Sequence, residues 1–98
     1  MSRELIVRPE AQAELAQAFE WYESRLAGLG LDFIRAVDSL FSSILRNPLM
    51  YPIVYESVRR GLTRRFPYEA FFLVEPETVV ILALFHAKRN PQSWQERI

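Results

Sequence analysis

The 98-residue sequence has no cysteine, one histidine, three glycines and no net charge. Each shortage removes a class of explanation. Without cysteine there is no disulfide framework and no thiolate metal site. A single histidine with no ligand spacing around it offers no metal site of another kind. No Gly-rich phosphate loop, nucleophile elbow or Cys/His pair is present. The longest apolar run, Val79 to Phe85, is too short to span a bilayer, and the N-terminus lacks the apolar core of a signal segment. These absences predict a cytoplasmic protein with no cofactor, no metal and no membrane partner. Twelve Lys and Arg against twelve Asp and Glu exclude a surface that is basic all over, since grip on a polyanion scales with the charges that neutralise it.

What is present is a core-former. Half the residues are apolar and 13% are aromatic, which excludes disorder and predicts a single domain over residues 1–98. The neutral total conceals a split. Residues 1–58 carry five Arg against eight Asp or Glu, and residues 59–98 carry seven Lys or Arg against four Glu. A local basic patch in the last third is therefore expected.

Glu4 to Arg8 reads as a strand. Pro9, followed by Glu10, suits the first turn of a helix. In that helix Leu15, Phe19, Tyr22 and Leu26 recur on one stripe. Gly28 and Gly30 end it, and Asp32 is a plausible N-cap for a second helix. There Phe33, Ile34, Val37, Leu40, Phe41, Ile44 and Leu45 form an apolar arc opposite Arg35, Asp38, Ser39, Ser42, Ser43 and Arg46, until Asn47-Pro48 closes it. Beyond Pro52 the period falls to two. Val58 to Phe66, Tyr68 to Val74 and Val79 to His86 read as strands, with Glu75 to Thr78 as the turn between the last two. Pro91 opens a short final segment carrying Trp94. The pattern predicts an α+β fold, an antiparallel sheet packed against an N-terminal helical hairpin in the order β-α-α-β-β-β.

Strands 68–74 and 79–86 are apolar at both parities, whereas a sheet with one solvated face should alternate. A helical hairpin covers one face only. The other needs the Trp94 segment, a second copy of the chain or a partner. Phe71 and Leu82 on these strands are accordingly candidate partner-binding residues, as is Trp21, which falls off the apolar stripe of its helix and is either packed under a loop or an anchor for a partner.

Chemistry concentrates in the last third. A two-residue Pro76-Glu77 loop would pair Tyr68 with Phe85 and Glu69 with Leu84, leaving His86 on the face of Glu69 and near Arg65. An Arg beside a His and a Glu can hold a phosphate and move a proton; equally, Glu69 and Arg65 can simply satisfy a half-buried His. Arg59, Thr63 and Arg65 share one face of strand 58–66, either as an anion strip or as charges guarding a sheet edge. Arg64, Arg89 and Trp94 complete the candidates for binding a target or an anion.

The order strand, helical hairpin, three strands, together with Tyr51-Pro52-Ile53-Val54-Tyr55-Glu56-Ser57-Val58-Arg59-Arg60, Arg65-Phe66-Pro67-Tyr68 and His86-x-x-Arg89-x-Pro91-x-x-Trp94, resembles the ParE/RelE superfamily of type II toxin–antitoxin toxins along essentially the whole chain. The resemblance implies a co-encoded antitoxin whose tail wraps the toxin, and the formation of homodimers or toxin–antitoxin hetero-oligomers. It implies one of two activities, or else a relative of the same fold that has lost toxicity. RelE-like members cut messenger RNA on the ribosome, for which Arg65 and His86 would be the catalytic candidates. ParE-like members of plasmid-stabilisation modules inhibit DNA gyrase without that set. No Tyr follows Tyr68, and the chain is neutral where RelE-like toxins are strongly basic, so the chain looks closer to ParE.

Overall fold

A computed structural model describes residues 3–89 and 92–98. Strand β1 (Glu4–Val7) leads into helix α1 (Pro9–Arg25), then α2 (Leu29–Arg46) and a single 3₁₀ turn (Pro48–Met50). Four strands follow, β2 (Ile53–Tyr55), β3 (Val58–Leu62), β4 (Tyr68–Val74) and β5 (Thr78–His86), and a last short helix α3 (Gln92–Gln95). The sheet order is β1-β5-β4-β3-β2. All neighbours are antiparallel except β1, which runs parallel to β5 from Glu4↔Thr78 to Val7↔Ile81. The expected α+β fold with a helical hairpin on the sheet is thus present, with β2 added at the edge.

Helix α1 starts at Pro9 because a missing N–H costs nothing in a first turn. Its buried stripe is Ala11, Ala18 and Tyr22, with Leu15 partly buried. The expected stripe through Leu26 is corrected: Leu26 caps the helix and is 65% exposed. Alanines face the sheet here because the helix lies close against β5.

Asp32 is not the N-cap of α2. That place falls to Gly28 at φ 91, a left-handed conformation that favours glycine. The carboxylate of Glu23, on α1, accepts the free amides of Gly28 at 3.0 Å and Gly30 at 2.9 Å. One helix caps the next. Gly30 lies inside α2 rather than in a breaker, and it is glycine because a Cβ there would come within 2.9 Å of the Phe19 ring.

The sheet separates two apolar layers. On the helix side Phe33, Val37, Ile44, Ala70, Phe72, Val79, Ile81 and Leu84 form the main core. On the other side Val58, Phe71, Val80, Leu82, Ala83 and Phe85 pack with Trp94. Trp94 stacks on Phe71 with ring centroids 4.3 Å apart and meets Tyr55 edge-on at 5.7 Å. The C-terminal segment therefore covers the second face. Trp94, Phe71 and Leu82 are all buried within the chain, which corrects their nomination as contacts for a target or partner. The nomination of Pro91 as the start of that segment lies outside the described residues.

The hairpin register holds near the turn, where the Glu75 amide donates to the Thr78 carbonyl at 2.8 Å. It then slips. Phe72 pairs with Ile81 but Phe71 with Ala83, leaving Leu82 as the extra residue of a β-bulge. Past it Tyr68 opposes His86 and Glu69 opposes Phe85, one residue away from the spacing expected for an unbroken ladder.

Candidate functional site

The bulge decides what His86 can reach. A one-residue slip sends a side chain to the opposite face, so His86 stands beside Tyr68, ring to ring at 5.4 Å, and away from Glu69. Glu69 pairs instead with Arg60 at 3.6 Å. The Nδ1 of His86 accepts the Lys88 amide at 3.1 Å, so a neutral ring carries its proton on Nε2.

Arg65 is elsewhere. Strand β3 stops at Leu62, and Thr63 turns the chain by donating its hydroxyl to the carbonyls of Phe66 at 2.6 Å and Tyr68 at 3.2 Å. Arg65 follows at φ 70, and its guanidinium lies 3.9 Å from the Asp32 carboxylate on α2. The expected trio of Arg65, His86 and Glu69 is therefore not assembled. The expected face of Arg59, Thr63 and Arg65 does not form either, because the strand ends before Thr63. Nor is β3 an edge: β2 pairs with it. Arg59 donates to the carbonyls of Tyr51 at 2.6 Å and Leu49 at 3.3 Å, fixing the loop before β2.

Two grooves flank this region. The first, about 490 Å³, runs between α1 and the start of β4, with Trp21, Tyr22, Pro67, Tyr68, His86 and Arg89 in its walls. Trp21 is 52% exposed and carries the Arg25 guanidinium over its ring at 4.5 Å; it meets Tyr22 edge-on. Burial raises the Tyr22 hydroxyl above its ordinary pKa. Burial does the same to Tyr68, and the neighbouring Tyr22 adds to it. The second groove, about 650 Å³, follows the outer side of α2 and holds Arg64 and Arg65.

Arg89 is engaged rather than free. It reaches Glu14 at 3.3 Å and lies over the Phe85 ring at 3.9 Å. Glu14 is a residue that sequence reasoning passed over. β1 stops pairing at Ile81, so beyond it β5 has a bare edge. Glu14 accepts the Leu84 amide there at 3.0 Å. Arg97 binds both oxygens of Glu14, at 3.2 and 2.9 Å, and donates to the Leu82 carbonyl at 3.0 Å. The hydrogen bonds Arg97 donates to Glu14 outweigh burial and raise the Arg97 pKa further. A clue was available: Glu14 interrupts the inward stripe of Ala11, Leu15, Ala18 and Tyr22, and a carboxylate there needs a partner.

Comparison with known proteins adds the family. The profile of the ParE toxin of type II toxin–antitoxin system, parDE, matches residues 5–91. No curated protein matches the chain by sequence. Solved structures share the fold, among them three toxin structures. The toxin–antitoxin system ParDE from the P. aeruginosa chromosome aligns with TM-score 0.76 and 20% identity, over 89% of this chain and 98% of that one. A double mutant of the E. coli toxin RelE in the free state aligns with TM-score 0.69 and 13% identity, over 100% and 99%. The toxin–antitoxin complex RelBE2 from Mycobacterium tuberculosis aligns with TM-score 0.58 and 21% identity, over 88% and 99%.

Proposed function

We propose, because this chain belongs to the family of ParE toxins of type II toxin–antitoxin systems, that it acts by binding and inhibiting a protein target, DNA gyrase, and is neutralised by a cognate antitoxin. The observation that carries this proposal is the separation of the groups that RNA cleavage would need together. Proton transfer requires hydrogen-bond reach between the base and its substrate, with a cation on the same phosphate. His86 faces Tyr68, Glu69 is paired with Arg60, and Arg65 lines the other groove beside Asp32. Binding needs none of these to meet.

The test uses the purified chain in two assays, gyrase supercoiling and a translating extract followed by primer extension on the message. Loss of supercoiling with intact message is expected, and Arg65→Ala and His86→Ala should inhibit as the parent chain does. The product of a neighbouring small reading frame should co-purify with the chain and restore supercoiling. The ribonuclease alternative draws on one observation, that His86, Tyr68 and Arg89 line a common groove. Codon-phased cuts abolished by His86→Ala would establish it and sink the gyrase proposal.

A further inference from the structure

The described sheet ends in two outer strands, and they are finished differently. β1 is bracketed by charge, with Glu4 inside it, Arg3 before it and Arg8 after it. Charge of this kind keeps an edge from pairing with another chain. β2 has no such guard. From Pro48 to Tyr55 eight residues pass without a charge. Four of them stand out from the surface, Leu49 at 62%, Met50 at 60%, Ile53 at 55% and Val54 at 40% exposure. An apolar patch gathered at an unguarded sheet edge marks a contact surface. The backbone agrees. The Pro52 carbonyl accepts the Arg60 amide at 3.1 Å and so points at β3. By strand alternation the N–H and C=O of Ile53 then point away from the sheet.

We propose that two copies of this chain pair through their β2 edges, antiparallel about Ile53, burying Leu49, Met50 and Val54 between them. The two Ile53 residues exchange both backbone hydrogen bonds, as a directly opposed antiparallel pair does. Charge selects a second copy over an unrelated strand. Arg46 precedes the apolar segment and Glu56 follows it. Both are exposed, and neither has an ion-pair partner among the described residues. A two-fold pairing centred on Ile53 sets Glu56 of each copy opposite Met50 of the other, beside the turn that follows Arg46. Each copy thus brings one free charge of each sign, and the pairing joins them twice. A strand of a single charge sign would meet repulsion at one end. The surface is small. Four apolar side chains and one pair of backbone bonds fall short of the roughly 800 Å² per partner of a standard interface. The dimer is therefore weak, with a Kd on the order of micromolar.

Sedimentation velocity of the full chain, over about 1–100 μM, tests the pairing without reference to any target. A monomer–dimer equilibrium is expected within that range. Ile53→Lys sets two like charges face to face and should weaken the dimer roughly tenfold or more. Arg46→Glu and Glu56→Arg should each weaken it about threefold to tenfold, because one reversal strikes both halves of a two-fold interface. The two reversals combined should restore it. These positions are exposed, and circular dichroism checks that each variant is folded. A chain monomeric throughout, a dimer indifferent to Ile53→Lys, or reversals that do not compensate would each overturn the assignment. Open-ended oligomers would do the same, since a two-fold pairing closes on itself. So would a monomeric chain that co-purifies with an extended partner segment and loses it on Ile53→Lys, which gives the edge to that partner.

Discussion

The two faces of the β4–β5 ribbon are equally apolar but covered in unequal ways. Toward the helices, Phe72, Ile81 and Leu84 meet a broad arc from α1 and α2, and there Tyr22 and Phe33 of the helices contact Phe66 and Tyr68 ring to ring. On the far side, Phe71 and Phe85 meet a single indole delivered by a four-residue helix. That indole is buried, and its Nε1–H has no partner among the described residues. An orphan donor of this kind costs about 1–3 kcal/mol, so part of what the Trp94 stack contributes is cancelled. Sequence chemistry makes both faces of a ribbon greasy with equal ease; only the geometry of the cover separates a core from a lid.

Paired truncations break or sharpen this contrast. Phe72→Ala, on the helix side, is expected to lose about 3–5 kcal/mol of stability in urea denaturation. Trp94→Ala removes a larger ring but also the orphan donor, and should lose clearly less, about 1–3 kcal/mol. Equal losses would mean that the far side is as integral to the fold as the near one.

The lid is held at its end by Glu14, which carries both the Leu84 amide and Arg97. Glu14→Ala should cost about 2 kcal/mol by leaving buried donors without an acceptor, seen as a lower Tm. Glu14→Gln, which keeps an acceptor for Leu84, should cost less. If both variants match the parent chain, the clip does not hold the segment down.

The smallest effect is alkaline and confined to the helix side. Tyr22 and Tyr68 titrate above their ordinary 10.0 in the folded state because burial disfavours phenolate. Their contribution is fully present below about pH 10 and is lost as pH rises through the folded-state values, since the unfolded chain then releases protons first. Tyr22→Phe should flatten the decline in stability above that pH. A decline as steep as in the parent would assign it to other groups.

Much of this architecture was legible in the residues. The helical hairpin, the extent of β4 and the need to cover two faces followed from apolar period and turn chemistry. Three things were not. The Ala11–Ala18 stripe was missed because a close helix–sheet approach selects small side chains, while pattern reading favours large ones. The bulge at Leu82 was invisible because an uninterrupted apolar run keeps the same appearance after a one-residue slip, and that slip moved His86 away from Glu69. The basic groove along α2 was invisible because only the turn through Thr63 brings Arg64 and Arg65 over to join Arg35 and Arg46. Sites made by tertiary contact leave little trace in linear spacing.

The parallel pairing of β1 with β5 has a consequence for how the molecule is made. The first strand and the last strand are neighbours, so the sheet cannot close until nearly the whole chain has left the ribosome. Until then the helical hairpin has no complete surface to dock against, and pairings so distant in sequence form slowly. An unfinished chain therefore leaves the apolar faces of α1 and α2 without the β5 residues Val79, Ile81 and Leu84 that complete their core.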